Sequence, residues 1–172
     1  MGQYLSPAVL NLLFLLLVVK QPFLAASAEA RDASFDIVVY GGTPAGIVAA
    51  VTAAGEGVSV ALLEPTQHLG GMASGGLGHT DIGNANVIGG HSKAFFERVG
   101  KHYGESLAWY FEPHVAEQVF ADWLAEAKVQ VFLKHRLSET AGAVVKNGSA
   151  IKSISLENGD RFAAKCFVDA SY

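Results

Sequence analysis

The hydrophobic pattern begins in earnest at Phe35. FDIVVY (35–40) and VSVALL (58–63) are apolar runs of strand length, and between them Ala45, Ala49, Ala50, Ala53 and Ala54 recur at helical spacing. This predicts a strand, a small-residue helix over 45–54 ended by Gly55 and Gly57, and a second strand, with Arg31 to Ser34 as a polar lead. Further on, Phe95, Phe96 and Val99 oppose Lys93, Glu97, Arg98 and Lys101, predicting an amphipathic helix over 87–103. Val115, Val119, Phe120, Trp123, Leu124 and Ala127 form one stripe of a helix over 112–127, opened by Pro113 in its first turn. Such a stripe reads as core packing. A strand over 129–133 follows, then short alternating runs at 143–146, 150–156 and 161–164, separated by Asn147-Gly148 and Asn158-Gly159. These predict a three-stranded antiparallel meander, leading into a last buried strand over 166–169.

The first strand and helix are joined by Gly41-Gly42-Thr43-Pro44-Ala45-Gly46. A backbone that turns from strand to helix on glycines lets a diphosphate approach the helix N-terminus, where unpaired N–H groups and the positive end of the helix dipole receive it. Glu64 closes the second strand, 18 residues after Gly46, where an acid accepts hydrogen bonds from ribose hydroxyls. Against the GxGxxG pattern the middle position holds Thr43, which narrows the backbone geometry and adds a hydroxyl. The surrounding order of strand, helix, strand and acid makes a dinucleotide the expected ligand, with an ordinary βα turn as the competing explanation.

Thr66 to Asn84 holds six glycines in 19 residues and no hydrophobic period. By composition alone it is a flexible connection. Lying directly after the ribose-binding acid, it stands where a long dinucleotide would continue past its diphosphate. His79 and Asp81 are titratable candidates for chemistry in this loop, with loop capping as the alternative role. His91 and His102 have no metal-ligand spacing, and no metal is expected.

Charge and composition narrow the picture. The chain is 51% hydrophobic and 16% charged, with a formal net charge of −4 and no run of Lys or Arg, so a nucleic-acid partner is not expected. Residues 8–19 form an apolar block broken only by Asn11, and Ala26-Ser27-Ala28 has the small-x-small form of a cleavage site. Residues 1–28 are expected to be a secretory signal, placing the mature chain, 29–172, outside the cytoplasm as a secreted or periplasmic protein with no stable membrane insertion. An uncleaved anchor is the alternative. Cys166 is the single cysteine, so no intrachain disulfide can form, and its apolar run predicts a buried, inert thiol. Asn147-Gly148-Ser149 matches a glycosylation sequon, but between two β-like runs a hairpin turn explains it more simply.

Five blocks, YGGTPAGIVAA, LLEP, LGGMASGGLGHTD, FEPHVAEQVFADWLAEA and CFVDASY, occur in this order. Together they resemble the N-terminal part of FAD-dependent oxidoreductases of the FAD-oxidored family, over about 35–172. The resemblance implies an α/β, Rossmann-like FAD-binding domain of the glutathione-reductase type, with a parallel sheet and an inserted antiparallel β-meander. It implies that Gly41, Gly42, Thr43, Pro44, Ala45 and Gly46 wrap the FAD diphosphate and that Glu64 holds the adenosine ribose. It further implies that Gly70, Gly71 and Met72 run along the diphosphate and ribityl chain, that Val131 approaches the adenine, and that Asp169 closes the site where the family has a glycine-bearing turn. Chains of this family continue well past this block into a substrate-binding part. The sequence is therefore expected to be the cofactor-holding, incomplete part of an enzyme acting by flavin-mediated electron or hydride transfer on a small molecule. Two other functions stay open: an NAD(P)-binding dehydrogenase or reductase domain, and a non-catalytic dinucleotide-binding fragment.

Overall fold

A computed structural model describes residues 30–172; the expected signal at 1–28 lies outside the described residues. In chain order the elements are β1 (Asp32–Tyr40), α1 (Pro44–Gly55), β2 (Val60–Glu64), the single turn α2 (Gly71–Ser74), a 3-10 turn (Ala85–Val87), α3 (Gly90–His102), α4 (Pro113–Glu126), β3 (Gln130–Leu133), β4 (Val144–Asn147), β5 (Ala150–Ser155) and β6 (Arg161–Asp169). All six strands form one sheet in the order β3-β2-β1-β6-β5-β4. β3, β2, β1 and β6 run parallel, and β5 and β4 extend the sheet antiparallel.

The composition of the strands follows from this order. β2 lies inside the parallel part and all five of its residues are buried, which is why its sequence is a continuous apolar run rather than an alternation. One face of the sheet is covered by α1, α3 and α4 through a core that includes Val39, Ile47, Ala50, Leu62, Val99, Val115, Phe120 and Leu124. The other face gathers Phe35, Val38, Ala61, Leu63, Ile154, Leu156 and Phe162, with Phe132 meeting Phe35 and Phe162 edge-on. The α4 stripe is as expected: Val115, Val119, Phe120, Trp123 and Leu124 are all buried.

Four expectations need correction. The third meander strand and the final strand are a single β6, whose first part pairs with β5 and which pairs with β1 over almost its whole length. β1 correspondingly starts at Asp32, because Asp32 to Ser34 of the supposed polar lead pair with Arg161 to Ala163. The helix expected from 87 starts at Gly90, after a 3-10 turn capped by the Asn84 side chain. Cys166 is exposed, not buried. It follows a shift in the strand alternation at Asp36 and Lys165. Phe35, Val38 and Tyr40 pack on one face, so the period of two slips by one, and the N–H groups of Asp36 and Ile37 both donate to the Ser59 carbonyl at 3.1 Å. At the same place Lys165 Nζ meets Asp36 Oδ1 at 2.7 Å. A buried strand cannot be told from a half-covered one when the alternation itself breaks.

Both hairpin turns form. Gly148 and Gly159 take φ of +61° and +91°. Behind the second, Asp160 accepts the Arg31 N–H at 2.8 Å and faces His135 Nε2 at 3.0 Å and Asn158 Nδ2 at 3.1 Å, clipping the loop after β3 to the start of β1 and β6.

Candidate functional site

β1 ends on Tyr40, and the chain turns at once. Gly41 has φ +107°, and a Cβ there would stand 2.7 Å from the Ala170 carbonyl, so both conformation and space demand glycine. Its N–H donates to the Leu63 carbonyl at 2.8 Å. A Cβ on Gly46 would collide with the Gly41 carbonyl oxygen, so the first turn of α1 presses directly on the loop that feeds it.

Thr43 is the N-cap of α1. With φ −69° and ψ 164° it needs no glycine, and its hydroxyl has two tasks. Oγ1 accepts the Gly46 N–H at 3.2 Å and donates to the Ala170 carbonyl at 2.9 Å, joining the start of α1 to the chain just past β6. Pro44 occupies the first helical position, where no N–H is required.

Glu64 is buried at the end of β2. Its Oε2 accepts the Gly42 N–H at 2.6 Å and its Oε1 the Thr66 N–H at 2.7 Å. The carboxylate is thus aimed by backbone on two sides. From here the glycine-rich segment returns to the first turn: the Gly70 N–H donates to the Gly42 carbonyl at 2.7 Å. Gly70 has φ +96°, and a Cβ there would press 2.6 Å from the Phe120 ring of α4. Ser74 ties its hydroxyl to the Leu69 carbonyl, and the Met72 N–H donates to the Tyr172 hydroxyl at 3.0 Å. Glu117, on α4, accepts the Leu69 N–H at 3.1 Å and faces His68 Nδ1 at 3.1 Å.

Between these segments lies a cleft of about 580 Å³ whose walls include Gly41, Thr43, Glu64, Thr66, His68, Gly71, Glu117 and Tyr172. Among the described residues no Lys or Arg lines it, so an anionic ligand here would be met by N–H groups and the N-terminal end of the α1 dipole. A second cleft, of about 670 Å³, opens on the other side of the α1 N-terminus, lined by Pro44, Ala45, Leu77, His79, Asp81 and an aromatic wall that includes Phe95, Phe111 and Trp123.

The expected site residues therefore divide. Gly41, Thr43, Glu64 and Gly71 line the first cleft, and Pro44 and Ala45 the second. Gly42, Gly46 and Gly70 are buried and set the backbone course. Met72 is exposed beside Tyr172. Asp169 ends β6, and its carboxylate accepts the Ser171 hydroxyl at 2.7 Å and N–H at 3.0 Å. Those two donors hold it below the usual aspartate range against the opposing effect of burial. Val131 is half-buried against the helix-side core and is not among the residues lining the cleft. Thr66, Glu117 and Tyr172 were not singled out by sequence. Glu117 looks like an ordinary solvated position on the polar side of an amphipathic helix, and only the packing of α4 against the glycine-rich loop brings it to the cleft. Among the described residues no group of His, Cys, Asp and Glu is arranged to hold a metal ion.

The family model described as FAD dependent oxidoreductase matches residues 36–172. The chain belongs to this family. It is 26% identical over 151 residues to a digeranylgeranylglycerophospholipid reductase of Methanocella arvoryzae, an alignment covering 78% of this chain and 38% of that protein. Among solved structures it is similar to a geranylgeranyl bacteriochlorophyll reductase-like protein of Thermoplasma acidophilum, with a TM-score of 0.53, 20% identity, and 81% of this chain matched to 40% of that one. A flavin-dependent brominase matches with a TM-score of 0.58 and 17% identity, over 80% of this chain and 38% of its own. At these identities the structural likeness establishes the fold, a Rossmann-like FAD-binding architecture. The chain spans about two-fifths of the length of each of these three proteins. The family's cofactor, FAD, fits the residues present: two glycine segments without room for a Cβ, an acid at the end of β2 and a capped helix N-terminus between them.

Proposed function

We propose that this chain is the cofactor-holding part of an FAD-dependent oxidoreductase acting on a small molecule. The observation that carries the reading is the junction of Gly41–Gly46 with Gly70–Gly71 at the buried Glu64, beside a cleft at the N-terminus of α1 to which Gly41, Thr43 and Gly71 contribute walls. Gly41 and Thr43 would line the diphosphate, with Gly42, Pro44, Ala45 and Gly46 giving the backbone its approach. Glu64, already oriented by the Gly42 and Thr66 N–H groups, would accept from the adenosine ribose. Gly70, Gly71 and Met72 would border the ribityl end, with Asp169, whose carboxylate accepts from the Ser171 hydroxyl and N–H, near by. Val131 is the proposed neighbour of the adenine on the resemblance alone. His79 and Asp81 are proposed to border the flavin because they line the cleft on the far side of the α1 N-terminus. When bound, FAD supplies the electron and hydride chemistry; the chain binds, orients and excludes water.

The test is optical. Purified protein titrated with FAD should show the shifted visible bands and altered fluorescence of bound flavin. A colourless chain that binds NAD(P) instead would replace this reading with a dehydrogenase or reductase domain. One that binds neither would leave a non-catalytic fragment.

Export is part of the proposal, supported by the apolar block and Ala26-Ser27-Ala28. N-terminal sequencing of the expressed protein should begin at Glu29. Among the described residues no helix is long and apolar enough to cross a membrane.

A further inference from the structure

We propose that Glu117 is a positioning residue for the dinucleotide, holding the second glycine segment in register with the first; this rests on the FAD reading above. Glu117 is 48 residues from Leu69 in sequence, yet its Oε1 accepts the Leu69 N–H at 3.1 Å. The same carboxylate takes His68 Nδ1, at 3.1 Å to Oε1 and 3.3 Å to Oε2. The residue after Leu69 is Gly70, whose N–H reaches across to the Gly42 carbonyl. Phe120, three residues beyond Glu117 and on the same side of α4, fills the space that a side chain on Gly70 would need. One helix therefore grips the loop twice, with a carboxylate on its N–H groups and a ring under its left-handed glycine.

Glu64 does the same from the sheet side, taking Gly42 and Thr66. The two glutamates bracket residues 66–69, and Glu117 governs the end nearer the second glycine pair. Its role differs from that of Glu126 on the same helix, which meets the Arg98 guanidinium at 3.0 and 2.7 Å on the surface and touches no part of the cleft. A carboxylate accepting a partly buried backbone N–H is the stronger kind of hydrogen bond, and losing it leaves the donor unpaired. With Leu69 released, the Gly70–Gly42 link loses its neighbour and the segment samples more conformations before a ligand arrives. Affinity then falls by the fraction of time the competent arrangement is absent.

The experiment compares Glu117→Leu, Glu117→Gln and the surface control Glu126→Gln in the full chain. Glu117→Leu should weaken FAD binding, measured by fluorescence titration, by about tenfold or more. Glu117→Gln keeps an acceptor oxygen and should recover most of that loss, while Glu126→Gln should bind as wild type. Independently of FAD, amide hydrogen exchange at Leu69 and Gly70 should speed up in Glu117→Leu, with β1, β2 and β6 amides unchanged. Wild-type FAD affinity in Glu117→Leu, or faster exchange across the whole sheet as well, would overturn the assignment while leaving the FAD reading intact. A wild-type chain that binds no FAD overturns both.

Discussion

Thr43 shows how a single side chain can replace a glycine. Its backbone is ordinary extended conformation, so the position needs no left-handed freedom, and its hydroxyl closes a link from α1 to the Ala170 carbonyl that glycine could not make. Thr43→Val keeps the shape and removes both hydrogen bonds; urea denaturation should show a loss of about 1–2 kcal/mol. Gly46→Ala is expected to be worse for binding than for folding alone, because the added Cβ meets the Gly41 carbonyl and pushes the turn out of the cleft. Its FAD affinity should fall below detection in a titration that still measures the Thr43→Val protein.

Among the elements, β6 and α4 decide the site. β6 carries Ala170 and Asp169 to the N-terminus of α1 only because it pairs in parallel with β1 up to Tyr40 and Asp169. α4 supplies Phe120, which stacks on Phe95 at 4.6 Å between ring centroids and supports Gly70. Phe120→Ala should cost about 3–5 kcal/mol of stability by the cavity it leaves. The clip at the β5–β6 turn makes stability depend on pH. Burial raises the Asp160 pKa, but the Arg31 N–H, His135 and Asn158 outweigh it and leave the carboxyl below its ordinary value of 3.8. A carboxyl whose pKa is lower in the folded state contributes stability that is fully present above 3.8 and is lost as pH falls through the folded value. Asp36, held well below the usual range chiefly by the Lys165 ammonium and then by Ser59, adds to the same acid limb. Asp160→Asn should therefore flatten, without abolishing, the fall in urea midpoint on acidification, while lowering stability near neutrality.

For the whole molecule, a ligand that binds only the folded chain stabilises it by mass action. FAD at about a hundred times its dissociation constant should add about 2.7 kcal/mol, read as a rise in thermal midpoint that grows with FAD concentration. Equal midpoints with and without FAD, under conditions where the visible spectrum shows binding, would mean that the cleft also exists in the unfolded ensemble, which a site assembled from β1, β2, α4 and β6 does not allow.

The sequence by itself determined the parts that depend on neighbours along the chain. The βαβ unit, the α4 stripe and the two Asn-Gly turns are each local matters of period, propensity and backbone freedom, and they stand where the pattern put them. The place of Glu64 at the end of β2 was legible because its distance from the turn is itself a local spacing. What the tertiary structure alone decided depends on pairing at long range. The merging of two expected strands into β6, the exposure of Cys166 after the shift at Asp36, and the arrival of Glu117 at Leu69 all come from contacts between segments far apart in sequence. Such contacts leave little trace in composition or period, because a polar residue on a helix looks the same whether it faces water or a backbone N–H brought to it by the fold.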